Sequence, residues 1–362
     1  MGKRRNASSP RQVSRSASCP AHQGYRWSRY SDEQLLDMRL CDLRLSLKDS
    51  AITPYLERLF RELETRGVPF RPHVWLADEW FSPDGVPGFA IPFYLAHPRL
   101  MRLERKMMQE VEGGNANWLM RILRHESGHA IDTAYRLRRR KGWREVFGKA
   151  SRPYPKVYRP QPTSKKFVLH LGHWYAQSHP TEDFAETFAV WLQPRSTWRR
   201  EYDEWPVLKK LQYVDDAMES LQTERPLVNA RHVIEPLREN TRTLREHYRR
   251  ERARFEIEIT RVYDGMLLRL FKPKNVAARD SRAVPAGKLL RESRPQLLRL
   301  MRRHAGMHPY LIHNVVRTII DRCRELELMA QGSRRDNKRA ALRLMERIVF
   351  DMIYRRRQQY AL

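Results

Sequence analysis

Cysteine is scarce in this chain of 362 residues, which has three, Cys19, Cys41 and Cys323. They are far apart and none forms a CxxC pair, which excludes both a cysteine zinc ribbon and a disulfide framework. So few cysteines are typical of a reducing compartment. The basic, serine-rich segment 1–20 also lacks the apolar stretch of a signal peptide. We therefore expect a cytoplasmic protein.

Long hydrophobic runs and acidic residues are also in short supply. No apolar run approaches the roughly 20 residues that a membrane-spanning helix needs. Asp and Glu number 42 against 70 Lys and Arg, which leaves a net charge of +28. Such a charge favours contact with nucleic acid, anionic lipid or acidic proteins but does not determine a fold. A nucleic-acid partner therefore stays open, without a specific motif to support it.

Hydrophobic spacing and composition divide the chain into three parts. Residues 1–28 predict a flexible basic arm. Residues 29–224 predict mostly helices, with two short strands at HVWLA and GFAIPFY on either side of the turn-forming SPDG. Residues 225–362 have helical spacing and 33 Lys and Arg against 15 Asp and Glu. The expected fold class is α+β, a mostly helical domain with a small edge sheet followed by a basic all-α region.

The stretch ILRHESGHAIDTAY, residues 122–135, contains the pattern HExxH at His125, Glu126 and His129. Histidines four residues apart lie on one helical face, about 6 Å apart along the axis, so both rings can reach one ion. Glu126 can then face the adjacent coordination position and act as a general base. The competing interpretation is that both histidines are merely polar residues at a helix edge.

A zinc site needs a further protein ligand. Asp132 lies on the same face but about 10 Å along the axis from His125, too far to share the ion. The stretch WYAQSHPTEDFAETF offers Glu182 and Glu186, one turn apart on another helix. One carboxylate could bind the metal while the other accepts a hydrogen bond from a ligand histidine. An acidic first turn that complements the helix dipole would explain Glu182 but not Glu186, whose neighbours are apolar.

HESGHAID together with Y-x6-E-D-F-A-E-T-F resembles the gluzincin metallopeptidases of the anthrax lethal-factor type, and also a bacterial family of zinc-binding metallopeptidases. The resemblance covers about residues 70–220 and implies a zincin-like domain. It implies that Glu182 is the third zinc ligand, that Tyr175 faces the metal and that Asp132 lies just outside the ligand set. The zinc-ribbon cysteines of some relatives are missing here.

The resulting prediction is a zinc metallopeptidase with one Zn²⁺ per chain. Glu126 is expected to accept the proton of a zinc-activated water, and Tyr175 to donate a hydrogen bond to the developing oxyanion. Glu186 and Asp132 are expected to orient the ligand histidines. The substrate would be a peptide or protein, and the positive net charge suggests an acidic one.

Two other classes of function stay open at this point. One is a basic nucleic-acid-binding or scaffold protein with a structural or inactive zinc site, and the other is a zinc hydrolase of non-peptide amides or esters. We expect His97, His170, His173 and His179 to be structural residues rather than ligands. GFAIPFY is either an edge strand that pairs with a substrate backbone or a core strand.

Overall fold

The structure is a computed structural model that describes residues 24–48, 50–155, 160–254, 263–277, 281–304 and 309–356. The α-helices of these ranges are α1 (Asp32–Leu36), α2 (Thr53–Thr65), α3 (Pro98–Met108), α4 (Ala116–Tyr135), α5 (Lys141–Phe147), α6 (Pro180–Leu192), α7 (Trp198–Glu201), α8 (Leu208–Leu221), α9 (Leu244–Ala253), α10 (Asp264–Leu270), α11 (Lys274–Ala277), α12 (Ala286–His304), α13 (Pro309–Glu325) and α14 (Arg334–Arg356). The strands are β1 (His73–Ala77), β2 (Gly88–Pro92), β3 (Lys272–Pro273), β4 (Val284–Pro285) and β5 (Leu328–Ala330). None of the helices in these ranges has both the length and the apolar character needed to cross a bilayer.

The predicted N-terminal arm, residues 1–28, mostly lies outside the described residues. Its last residues are folded, because a 3-10 helix spans Arg26–Arg29. Trp27 is buried in the main core and its indole N–H donates a hydrogen bond to the carbonyl of Leu43 at 3.1 Å. The folded part of the chain therefore includes the last residues of the predicted arm.

The two predicted strands are present, but they pair in parallel. His73 of β1 lies opposite Gly88 of β2, and the register continues to Ala77 opposite Pro92. The chain between them crosses over and returns along the far edge of β2, where the N–H of Ala90 donates to the carbonyl of Phe81 at 2.8 Å. All five residues of β2 are buried. Of the two alternatives for GFAIPFY, the structure favours the core strand.

The described chain contains two large hydrophobic cores and a small third cluster formed by Trp75, Ala77, Val86 and Ala90. The first begins at Trp27 and includes residues after the predicted boundary at 225, among them Leu237, Leu244 and Tyr248. The second begins at Tyr263 and is built mainly from α12, α13 and α14. TERPLVNA resembles a linker because it is polar and proline-containing. It nevertheless packs on the first unit, where the N–H groups of Leu227 and Val228 donate to the carbonyl of Ala134. We therefore propose a boundary between residues 254 and 263.

The C-terminal region contains a small antiparallel sheet with the order β3, β5, β4. The prediction of an all-α region needs this correction. These strands are two or three residues long, too short to produce an alternating apolar pattern in the sequence. Pro273 and Pro285 lie in the two edge strands, where the missing N–H of proline costs no central hydrogen bond.

A buried carboxyl group in α3 makes the stability of the first unit depend on pH. Burial raises the pKa of Glu104 to about 8; the Tyr248 hydroxyl lowers it, and the charges of Glu251 and Glu112 raise it. The unfolded chain has the ordinary value of 4.5. The folded state therefore binds this proton more tightly, so the free energy of unfolding falls as pH rises from about 4.5 to about 8.

Replacing Glu104 with glutamine is expected to remove this loss of stability at high pH, because the amide stays neutral. At pH 9 the variant should be more stable than the wild type by about 5 kcal/mol, and near pH 4.5 the two should be nearly equal. Thermal unfolding followed by circular dichroism at both pH values measures the difference. Glu57→Gln, at an exposed position of α2, is the matched control. A gain of the same size at both pH values would contradict the assignment.

Candidate metal centre

Helices α4 and α6 lie side by side, and a glycine sets their distance. A Cβ atom on Gly128 would lie 2.9 Å from the Cα of Ala185, closer than any real side chain tolerates. Because Gly128 has no side chain, the first turns of α6 can approach the face of α4 that presents His125 and His129. This glycine was given no role from the sequence, since its partner lies 57 residues further along the chain.

Three electron-rich atoms meet between these helices. The Nε2 atoms of His125 and His129 are 3.1 Å apart, and Glu182 Oε2 lies 3.1 Å from the first and 3.2 Å from the second. Tetrahedral zinc with ligands at about 2.0–2.1 Å separates ligand atoms by about 3.3 Å. Among the described residues this is the one cluster of three potential ligand side chains able to hold a metal ion. The triangle therefore has the size of one face of a zinc tetrahedron.

A cation at the centre of the cluster would be stabilised by the charges around it. Burial lowers the pKa of His125, but the hydrogen bonds and charges of Glu182 and Glu186 outweigh it and raise that pKa well above its usual value. Burial raises the pKa of Glu182, but His129 and His125 outweigh it and hold that pKa well below its usual value. A negative carboxylate facing two imidazole nitrogens is stabilised by either a shared proton or a metal ion. The donor set of two imidazoles and one carboxylate is the set that catalytic zinc uses.

A second carboxylate fixes the orientation of one ligand ring. Glu186 Oε1 accepts a hydrogen bond from His125 Nδ1 at 2.9 Å, and its other oxygen accepts the N–H of Leu171 at 2.8 Å. With the proton on Nδ1, the lone pair of His125 is on Nε2, which faces the cluster. A carboxylate behind a ligand histidine is the usual support of a zinc site.

Glu126 is buried next to His125 on α4, and a serine hydroxyl holds it in place. Ser82 Oγ donates a hydrogen bond to Glu126 Oε2 at 2.8 Å. Ser82 belongs to the crossover between β1 and β2, so the small sheet positions this contact. SPDG has the residues of a turn, and nothing in its sequence indicates the contact with Glu126.

The part of the chain that contains this cluster also matches a protein family. Residues 102–216 match the family model described as "Putative zinc-binding metallo-peptidase". The match includes all of α4 and α6, and therefore every residue of the cluster. It confirms the resemblance to the zinc-binding metallo-peptidase family, and it leaves the basic C-terminal region outside. No curated protein and no solved structure matches the chain.

Two further residues predicted for this site, Tyr175 and Asp132, differ in their contacts. The ring of Tyr175 lies 5.7 Å from the ring of His125, centre to centre. Asp132 is fully buried and accepts hydrogen bonds from the backbone N–H of Arg138 at 2.7 Å and from its Nε at 2.6 Å. The structure thus gives Asp132 an arginine as its hydrogen-bond partner, where the sequence predicted a ligand histidine. This arginine follows the end of α4.

The other histidines near the motifs have structural contacts, as expected. His97 Nδ1 accepts the N–H of Arg99 at the start of α3. His170 Nε2 donates to the carbonyl of Arg121 at 3.0 Å, and burial lowers the pKa of this histidine to about 4. His179 caps α6 by accepting from the N–H of Thr181. The side chain of His173 lies outside the described residues.

Tyr154 is a site residue that the sequence analysis missed. Its hydroxyl donates to Glu182 Oε1 at 2.6 Å, the oxygen that does not face the histidines. Its ring stacks on His179 with centres 3.9 Å apart, and the imidazole is itself tied to the carbonyl of Arg152 at 2.7 Å. Tyr154 stands between Pro153 and Pro155 in a segment that the pattern marked only as loop. In the sequence, the two prolines indicate that this segment is rigid.

Replacing Tyr154 with phenylalanine is expected to weaken metal binding by about 10-fold, since residues that hold a zinc ligand typically contribute 10- to 100-fold. The ring and its stacking on His179 remain in this variant, so the losses are the hydrogen bond to Glu182 and the 2.8 Å contact of the same hydroxyl with Thr181 Oγ1. Competition with a chromogenic zinc chelator measures the affinity. Tyr30→Phe, at an exposed position, is the control. An unchanged affinity in Tyr154→Phe would show that the hydroxyl does not orient the ligand.

Proposed function

We propose that the protein is a zinc-dependent metallopeptidase of the gluzincin type, in which His125, His129 and Glu182 bind one zinc ion. The observation that supports this most strongly is the convergence of their three ligand atoms within 3.2 Å of one another. A carboxylate, Glu126, lies directly beside this cluster. A purely structural metal site would not need the additional carboxylate of Glu126.

A zinc ion bound at this position would act as a Lewis acid and would lower the pKa of a water molecule from 15.7 to about 7. Glu126 would accept the proton of the attacking water and return it to the leaving amine. The hydrogen bond from Ser82 to Glu126 Oε2 holds this carboxylate in place without using up its capacity to accept the proton. Glu186 keeps the proton of His125 on Nδ1, and Tyr175 donates a hydrogen bond to the oxyanion that develops on the peptide carbonyl.

The charged residues near the metal centre affect which substrate side chains can lie next to it. Glu112 is near enough to the centre that its charge interacts with those of Glu126 and His125. Acidic side chains next to the scissile bond would be repelled by these carboxylates. We therefore propose a peptide or protein substrate with neutral or basic residues at that point, although the net charge of the chain suggested an acidic one.

Digestion of a peptide library with the zinc-loaded protein tests the proposal, with small amide and ester substrates assayed in parallel. We expect cleavage of peptides, loss of cleavage with a zinc chelator and recovery on zinc addition. Hydrolysis of the small amides or esters alone would favour the non-peptide hydrolase. No hydrolysis of any substrate by a fully zinc-loaded protein would favour an inactive site in a binding protein.

A further inference from the structure

The second unit has a row of four arginines along its last helix. Arg335, Arg339, Arg343 and Arg347 follow one another at intervals of four residues on α14, and all four are exposed. An interval of four residues is about 6 Å along a helix, so the row extends over about 18 Å and turns gradually by about 120°. We refer to these four residues as the arginine row.

The arginine row points away from the core of the unit. Ala341, Met345 and Ile348 of the same helix are buried in the second core, on the side opposite the row. These three apolar side chains of α14 are thus used in folding, and the guanidinium groups lie on the side that faces the solvent. Removing them would therefore leave the core contacts intact.

The four arginines lack the partners that other arginines of the unit have. Arg322 pairs with Asp264 at 2.6 Å, Arg324 pairs with Asp321 at 2.9 Å, and Arg334 pairs with Glu292. Among the described residues no ion pair or hydrogen bond involves a side chain of the arginine row. Asp336 and Glu346 share the solvent side of α14 without pairing to it.

Four unpaired arginines at this interval slightly lower the stability of the helix. Like charges at intervals of four residues repel each other and destabilise a helix by a few tenths of a kcal/mol per pair. The neighbouring surface of α12 adds Lys288 and Arg291, both exposed, and its Glu292 is occupied by Arg334. The exposed side chains of both helices therefore carry more positive than negative charge. An anionic partner would remove the repulsion.

We propose that the arginine row binds the phosphate backbone of a nucleic acid without reading its sequence. Guanidinium groups bind phosphate oxygens in pairs of hydrogen bonds, which favours arginine over lysine at such contacts. A row about 18 Å long that turns gradually around the helix can meet successive phosphates of one strand that curves along it. A lipid surface fits less well, because a membrane-bound helix needs an exposed apolar side, whereas Ala341, Met345 and Ile348 on the side opposite the row are buried.

Fluorescence anisotropy with a labelled 20-base-pair duplex and a labelled single strand tests this proposal on the full chain. The variant Arg335→Gln/Arg339→Gln/Arg343→Gln/Arg347→Gln should bind at least about 100-fold more weakly than the wild type. For the duplex, the magnitude of the slope of log K against log salt should fall by about 3.6, since each of the four lost phosphate contacts contributes about 0.9. Two double variants, Arg335→Gln/Arg343→Gln and Arg339→Gln/Arg347→Gln, should each show about half of the change in slope.

A matched control removes the same number of charges elsewhere. Arg61, Arg102, Arg105 and Arg200 are exposed on the first unit, and their replacement by glutamine should weaken binding by less than about fivefold. The row variant should unfold at the same temperature as the wild type or a higher one, since repulsion is removed. Equal losses in the row variant and the control would overturn the proposal, as would stronger binding to vesicles of anionic phospholipid, or to polyglutamate, than to nucleic acid.

Discussion

Replacing Glu126 with glutamine is expected to reduce kcat/KM for peptide hydrolysis by about 10²- to 10⁴-fold, the usual contribution of a general base. Glutamine has nearly the same shape and can keep the contact with Ser82, but it cannot accept the proton of the attacking water. Zinc should remain bound at one ion per chain, because Glu126 is not among the three ligands. The rate is measured on a cleaved library peptide, and the metal by mass spectrometry.

The control for this variant is Glu201→Gln, an exposed glutamate of α7 that lies within the family match. It should keep full activity. Full activity in Glu126→Gln would rule out its role as the base, whereas loss of both activity and zinc would indicate that Glu126 supports the metal instead.

Replacing His129 with alanine is expected to abolish stoichiometric zinc binding and, with it, activity. Removing a residue that only hydrogen-bonds to a ligand typically lowers zinc affinity by roughly 10- to 100-fold. The loss of affinity in His129→Ala should be larger, because the variant lacks a ligand atom. Zinc should raise the unfolding temperature of the wild type, because a ligand at 100 times its Kd adds about 2.7 kcal/mol to stability. The same addition should leave His129→Ala nearly unchanged.

His232→Ala is the matched control for this experiment, because His232 is exposed and lies in the first unit, outside the cluster. It should respond to zinc as the wild type does. A zinc-dependent rise in unfolding temperature that survives in His129→Ala would place the metal elsewhere in the chain.

Local periodicity was enough to predict the helix that presents the metal motif. His125 and His129 are four residues apart, and a helical interval of four brings side chains to one face whatever the rest of the chain does. Glu186 could be singled out because an acid in an apolar helix needs a partner, and its hydrogen bond to His125 fits that reasoning. The choice of Glu182 over Glu186 as ligand came from family resemblance, since both lie on the same helical face.

Contacts between distant segments could not be predicted in the same way. Tyr154 reaches Glu182, and Ser82 reaches Glu126, across 28 and 44 residues of chain. A single sequence contains no periodic pattern for such pairs, because loops and tertiary packing bring them together. The parallel pairing of β1 and β2 was missed for a related reason, since strand direction depends on the path of the crossover rather than on the strands themselves.

The position of the zinc ion tests the account most directly. Crystals of the zinc-loaded protein, measured on both sides of the zinc absorption edge, would give an anomalous difference map that locates the metal. We expect one peak per chain, about 2.0–2.1 Å from His125 Nε2, His129 Nε2 and a carboxylate oxygen of Glu182, with Glu126 beside it and not bound. A peak at another place, or no peak between α4 and α6 in a zinc-loaded crystal, would contradict the account.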